Sequence, residues 1–334
     1  MLAALSVILC HATETVYIFT PAFFAEQTLA SMLFALTAFT IGRMGVPVFF
    51  FLTGYLLLSR RYDDGSCVSF WKRNLLPLLR TTLVWIALYN VFLCLYNGVP
   101  LDWKTLLRNL LFLQQVSMGH MWYMYALPGL YLFLPIAARA LQAFRPKTFL
   151  LPAAIVSVCL FLMPVLRVLF GFGDSFLFDL SWSGGIYGAL IAFGYFVKAG
   201  CFKKIRSWIL ALLAILFFAA TVALLYYSHA AGRGNNLWYD WGTLIACTCC
   251  ICELCTRFSS PGRAAFFRKA AAYSFGIYLV HFPVKLLLER HLLLFQSLPA
   301  NVLWLTTLTA LFSWSLVWLV DRFPRAGKFF FLIK

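Results

Sequence analysis

The sequence predicts an all-α, polytopic integral membrane protein, and three observations carry that prediction: apolar runs of spanning length, scarce charge, and a one-sided distribution of that charge. Of 334 residues, 63% are hydrophobic and 11% are charged, whereas a soluble domain carries about 25% charged residues. The surplus apolar surface must face something other than water, and a lipid bilayer is the partner that accepts it. Within a bilayer the backbone must satisfy its own hydrogen bonds, so runs of about 20 apolar residues cross it as helices.

Ten such runs lie near residues 1–19, 32–58, 74–96, 120–141, 148–170, 182–199, 206–228, 237–256, 271–288 and 300–321. Between the third and fourth, residues 102–116 (LDWKTLLRNLLFLQQ) read as a short amphipathic helix lying at the interface. Trp71, Trp103, Trp208, Trp238 and Tyr239 recur near the expected span ends, as interfacial aromatic belts do. No polar stretch is long enough to fold separately, so residues 1–334 read as one membrane-embedded domain. No run reads as a cleavable signal followed by a soluble domain, and no internal repeat of the transporter kind is visible.

The loops orient the bundle. Odd-numbered gaps hold Glu14, Glu26, Asp102, Lys104, Arg108, Arg167, Asp174, Asp179, Arg233, Asp240, Lys285, Glu289 and Arg290. Even-numbered gaps and the tail carry 19 basic residues against 6 on the other side, in clusters such as Arg60, Arg61, Lys72 and Arg73. Positively charged loops stay in the cytoplasm, which places both termini there and makes this a multi-pass protein of the cell membrane. The same clustering argues against nucleic acid as the partner of the +16 net charge, because the charge lies between apolar runs and not in a patch on a polar surface.

Cys247, Cys249, Cys250, Cys252 and Cys255 fit no standard zinc spacing and sit in an otherwise apolar helix. They read as small polarizable packing residues, with acylation near the inner face as the alternative. No metal is expected.

Ionisable groups at membrane depth are costly unless they face a partner or a cavity, so each one is a candidate functional residue. His11 lies about 15 Å along the first span, near its middle. Glu14, three residues on, can orient or balance its imidazole. A neutral histidine with one free ring nitrogen can act as general base toward a hydroxyl; alternatively, it bonds a backbone carbonyl inside the bundle. Arg43 precedes Gly45 and Pro47, with Gly42 and Gly54 nearby to allow close helix approach. Its guanidinium could hold an anion or a developing oxyanion, or simply snorkel to the outer interface. His120, beside Trp122, Tyr123 and Tyr125, falls at the outer mouth of the fourth span, and His281 falls mid-span before Pro283. His229 and His291 read as surface groups near outer loops.

At the inner face, Lys72 and Arg73 open FWKRNLLPLL, with Arg80 two turns further in. Anchoring explains the first two; a line of cations would also suit a phosphate-bearing ligand such as a nucleotide-carried donor.

ALSVILCHA, GVPVFFFLTGYLLL, FWKRNLLPLL, GHMWYMYALPGLYLFLPI and SFGIYLVHFPV, in that order, resemble the acyltransferase 3 family, multi-pass membrane enzymes that acylate bacterial cell-surface glycans. The resemblance implies O-acyl transfer, often acetyl, from a cytoplasmic acyl-CoA to a hydroxyl of a surface polysaccharide or its lipid-linked precursor. It puts the base at His11, places Arg73 in the family's basic motif, and puts the protein in the bacterial inner membrane. The reading of the residues adds Glu14, Arg43 and His120 as candidate catalytic groups, and Lys72, Arg80, Trp122 and His281 beside Arg73 as candidate substrate-binding groups. The family pattern carries an arginine or lysine eleven residues before the histidine, a position with no counterpart in this sequence. The competing expectations are a transporter using the buried histidines as proton relays, and a membrane binding module without catalysis.

Overall fold

The computed structural model describes residues 1–171, 180–233, 237–258, 261–292 and 294–333. Asp174, Asp179 and Lys334, counted among the loop charges above, lie outside the described residues. Among the described residues the chain is helical, with no strand. Its main helices are α1 (Leu2–Val16), α2 (Leu29–Leu58), α3 (Asp64–Asn97), α4 (Trp103–Leu110), α5 (Gly119–Gln142), α6 (Pro146–Phe170), α7 (Gly185–Lys198), α8 (Ser207–Ala230), α9 (Gly242–Arg257), α10 (Pro261–Leu292), α11 (Leu298–Asp321) and α12 (Pro324–Phe331).

The expectation of about ten spans meets ten helices in the expected places, of which seven among the described residues are long and apolar enough to cross a bilayer. The other three, α1, α7 and α9, have 15, 14 and 16 residues. At 1.5 Å per residue such a helix falls well short of a hydrocarbon core about 30 Å thick. For α1 the shortfall has a physical reason: it packs against α2, α10 and α11, so its neighbours are protein.

Two features of the sequence let α2 sit deep in the bundle. Pro47 has no N–H to donate, and the helix breaks at Met44, one turn upstream. Glycines then allow backbone contact on both sides. A Cβ on Gly42 would lie 2.6 Å from Cys10 Cα of α1, and one on Gly194 of α7 would lie 2.1 Å from the Phe51 carbonyl oxygen of α2. Neither gap admits a methyl group, so alanine at either position would push two helices apart.

The ends are finished by side chains. Asp102 caps α4, accepting from the Lys104 and Thr105 amides at 3.0 and 3.2 Å. This helix is shorter than the expected 102–116, stopping at Leu110, with Phe112 in the left-handed region at φ 59°. The last carbonyls of α12 are met from α3: Arg80 donates to Lys328 and Phe329, Thr81 to Phe329, and Trp85 to Phe330, at 2.9–3.4 Å. Cys247, Cys249 and Cys252 of α9 are buried, as packing residues would be, and all ten cysteines are free thiols.

Candidate active site

His11 and Glu14 lie on one face of α1, and their separation of three residues lets the side chains meet. His11 Nδ1 stands 2.8 Å from Glu14 Oε2. A carboxylate only accepts, so Nδ1 carries a proton, and in the neutral form of the ring Nε2 is the nitrogen with the lone pair. The other Glu14 oxygen accepts from Arg43 of α2 at 2.9 Å. Arg43 reaches across to donate to the Tyr239 hydroxyl at 3.3 Å, and its guanidinium lies 4.8 Å from the Phe39 ring centre and 5.1 Å from that of Trp238. This arginine is buried and held by a carboxylate and aromatic faces. It is not a snorkelling interfacial group. Its Nε–H finds no acceptor among the described residues.

Two further histidines complete a row of rings. His11 stacks on His281 of α10 at 5.6 Å, and His281 meets His120 edge-on at 5.0 Å. His281 Nδ1 faces the Tyr278 carbonyl at 2.6 Å and therefore bears the proton, leaving Nε2 as a buried lone pair with no partner among the described residues. The Tyr89 hydroxyl spends its one proton on the Leu279 carbonyl, so His120 Nε2–H donates to Tyr89 at 3.1 Å. That leaves His120 Nδ1 as the unpaired lone pair. The Tyr278 hydroxyl donates to the His120 carbonyl, which ties α10 to the start of α5.

His120 stands at the start of α5, where the sequence put the mouth of a span, and is 1% exposed. Residues Gly119–Met121 form a 3₁₀ turn that opens α5 with the imidazole turned inward. Tyr239, expected in an interfacial belt, is likewise buried as Arg43's partner. His229, expected at the surface, is buried because the short helix Pro21–Ala25 packs over that end of α8, with the Phe24 ring 4.5 Å away. His291 is exposed, as expected. Lys285, counted with a loop, is buried as well. It donates to Thr15 at 2.7 Å and to Glu289 at 2.8 Å, one helical turn from the His11–His281 pair.

His11, Glu14, Arg43, His120 and Trp122 line one cavity of about 220 Å³, the chamber, together with Trp238, Tyr239, Tyr278 and Phe282. Arg73 and Arg80 line a second, of about 560 Å³, the vestibule, joined there by Arg60, Asn74 and Lys328 above an apolar floor that includes Phe49, Leu57 and Leu127. Lys72 is exposed and does not reach either cavity. Arg80 divides its role, since one nitrogen is already committed to the α12 carbonyls. Arg60 and Lys328 were legible only as loop charges, and no local pattern marks them out.

Fold and site together define a class: a polytopic helical membrane protein with a polar chamber sunk among its helices. The family model described as an acyltransferase domain, acyltransferase 3, matches residues 1–318, and the chain belongs to this family of membrane acyltransferases. One curated relative, acyltransferase MdmB of Streptomyces mycarofaciens, is 32% identical over 91 residues, which is 27% of this chain and 21% of that protein. The chain therefore covers about a fifth of that relative's length. No solved structure matches it.

Proposed function

We propose that this protein moves a short acyl group, acetyl in the simplest form, from a coenzyme A thioester to a hydroxyl of a cell-surface carbohydrate or its lipid-linked precursor, within the bacterial inner membrane. The single observation that carries the reading is the hydrogen-bonded pair His11–Glu14, locked by Arg43, with its free imidazole nitrogen in the chamber. Its support is chemical: a carboxylate fixes the tautomer and orientation of a ring that must take a proton from a weakly acidic hydroxyl.

In the proposed reaction the acceptor oxygen attacks the thioester carbonyl carbon while its proton passes to His11 Nε2. The tetrahedral oxyanion is stabilised by the Arg43 guanidinium, whose Nε–H is uncommitted. In the tautomer that Tyr89 imposes, His120 presents a lone pair and not a proton. It suits accepting from a second hydroxyl of the carbohydrate, since the attacking hydroxyl gives its one proton to His11, and it is the wrong partner for an oxyanion. Collapse breaks the C–S bond, and the imidazolium proton goes to the departing thiolate. Trp122 serves as a wall that orients the acceptor, and His281, behind the chamber lining, buttresses the face of His11.

The donor reading is supported by the vestibule, where Arg60, Arg73, Arg80 and Lys328 ring an apolar hollow suited to a phosphate-bearing carrier with a greasy arm. Both termini and this basic end would face the cytoplasm under the positive-inside rule. Mass spectrometry of surface glycans from cells with and without the protein tests the proposal. A mass increment matching one acyl ester, present only with the protein, is expected; identical glycans would defeat it.

A further inference from the structure

The chamber and the vestibule share four of their lining helices, and on each of these the step from one cavity to the other is at most a single turn. On α1 the lining passes from Ala3 to Val7, and on α2 from Phe49 to Val46. On α5 it passes between the neighbours Tyr123 and Trp122, whose side chains face opposite cavities, and on α10 from Phe275 to Tyr278. Three or four residues at 1.5 Å each make a partition at most ~6 Å thick. Three aromatic rings fill it. Tyr123 and Tyr278 meet at 5.3 Å, and the Phe49 ring lies 6.1 Å from each. The Tyr278 hydroxyl is bonded to the His120 carbonyl, so one ring of the partition is fixed to the wall of the chamber.

We infer that Phe49, Tyr123 and Tyr278 are specificity-determining residues: they form the septum that the acyl thioester must cross, and they limit the donor to short chains. The inference rests on the reading that the thioester enters through the vestibule. A carbonyl carbon brought to His11 leaves its sulfur and carrier arm passing between these rings, while the acyl tail must fit ahead of them in a chamber of about 220 Å³ that also holds the acceptor hydroxyl. Each added methylene then has no space to enter without displacing an aromatic wall. A tight apolar site discriminates by ~10-fold or more per methylene. Phe49 is the septum ring best suited to alteration. It borders existing empty space, so its truncation widens a cavity without opening a new void in closed core, and no hydrogen bond depends on it.

Membranes from cells making the full chain, sonicated so that thioesters reach both faces, would be given acetyl-, butyryl- or hexanoyl-CoA. Release of coenzyme A thiol is read after subtracting the rate of the His11→Ala protein. The wild type should fall steeply from acetyl to hexanoyl, and Phe49→Ala should raise the hexanoyl-to-acetyl ratio by about tenfold or more. Phe49→Leu and Tyr123→Leu, milder truncations, should move the ratio the same way by less, and they carry the test if Phe49→Ala does not accumulate. An active wild type whose variants keep its chain-length profile overturns the septum while leaving the donor reading intact. A wild type with no His11-dependent release from any of the thioesters overturns the donor reading and the septum with it.

Discussion

The two cavities share four helices yet differ in how their charges are held. In the chamber every charged group is committed: Glu14 bridges His11 and Arg43, and Arg43 is clasped by Tyr239 and aromatic faces. In the vestibule the cations line an open, largely apolar hollow and donate only to backbone carbonyls: Arg80 to the end of α12 and Arg60 Nε to Leu56 at 3.1 Å, with no carboxylate partner for Arg60, Arg73 or Arg80 among the described residues. Fixed groups suit a transition state, because no reorganisation is needed as charge develops. Loosely held cations on long stems suit a multiply charged ligand that must enter and leave. Under the proposed function, the difference fits chemistry at one end of the shared helices and capture of the donor at the other.

Substitutions should separate these roles. Glu14→Gln keeps the shape but removes the charge that fixes the imidazole and balances Arg43, and turnover should fall by about 10²–10³-fold. The donor KM should stay within about twofold, since the vestibule cations are untouched. Steady-state kinetics would contradict the division of labour if KM carried the loss. Gly42→Ala places a methyl 2.6 Å from Cys10 Cα, beside His11. A displacement near 1 Å there should lower turnover by about 10²-fold, with donor binding retained in a filtration assay. An unaltered rate would show that α1 has room the close contact denies.

Arg73→Ala should act in the opposite sense, raising the donor KM about tenfold with little change in kcat, and the penalty should shrink as salt is added. A loss confined to kcat would move Arg73 out of the donor site. Lys72→Ala is expected to be the mildest, within about twofold on both constants, because the side chain faces solvent and reaches neither cavity. An effect as large as that of Arg73→Ala would redraw the vestibule's edge.

Much of this architecture is written in simple features of the chain. Apolar run length locates the helices, Pro47 explains the break at Met44, and the small residues of α2 anticipate its intimate packing. His11 and Glu14 are legible as a pair because three residues on a helix bring two side chains together. Groups joined across the bundle were not legible in this way. Tyr239 is 196 positions from Arg43, and Tyr278 is 158 from His120; no local periodicity encodes such meetings. Burial was not legible where a short element turns or covers a side chain. A 3₁₀ turn draws His120 inward, and the helix Pro21–Ala25 covers His229. The three short helices show the same limit, since a helix surrounded by protein need not match the thickness of lipid.

The most direct test sets His11→Ala beside the wild type in two measurements on one preparation: equilibrium binding of acetyl-CoA and its rate of consumption. The account predicts binding within about twofold of wild type, because the side chain lies beyond the septum from the vestibule, and transfer lower by about 10³-fold, in keeping with loss of a general base. Wild-type transfer by the variant, or loss of donor binding in step with loss of transfer, would contradict it.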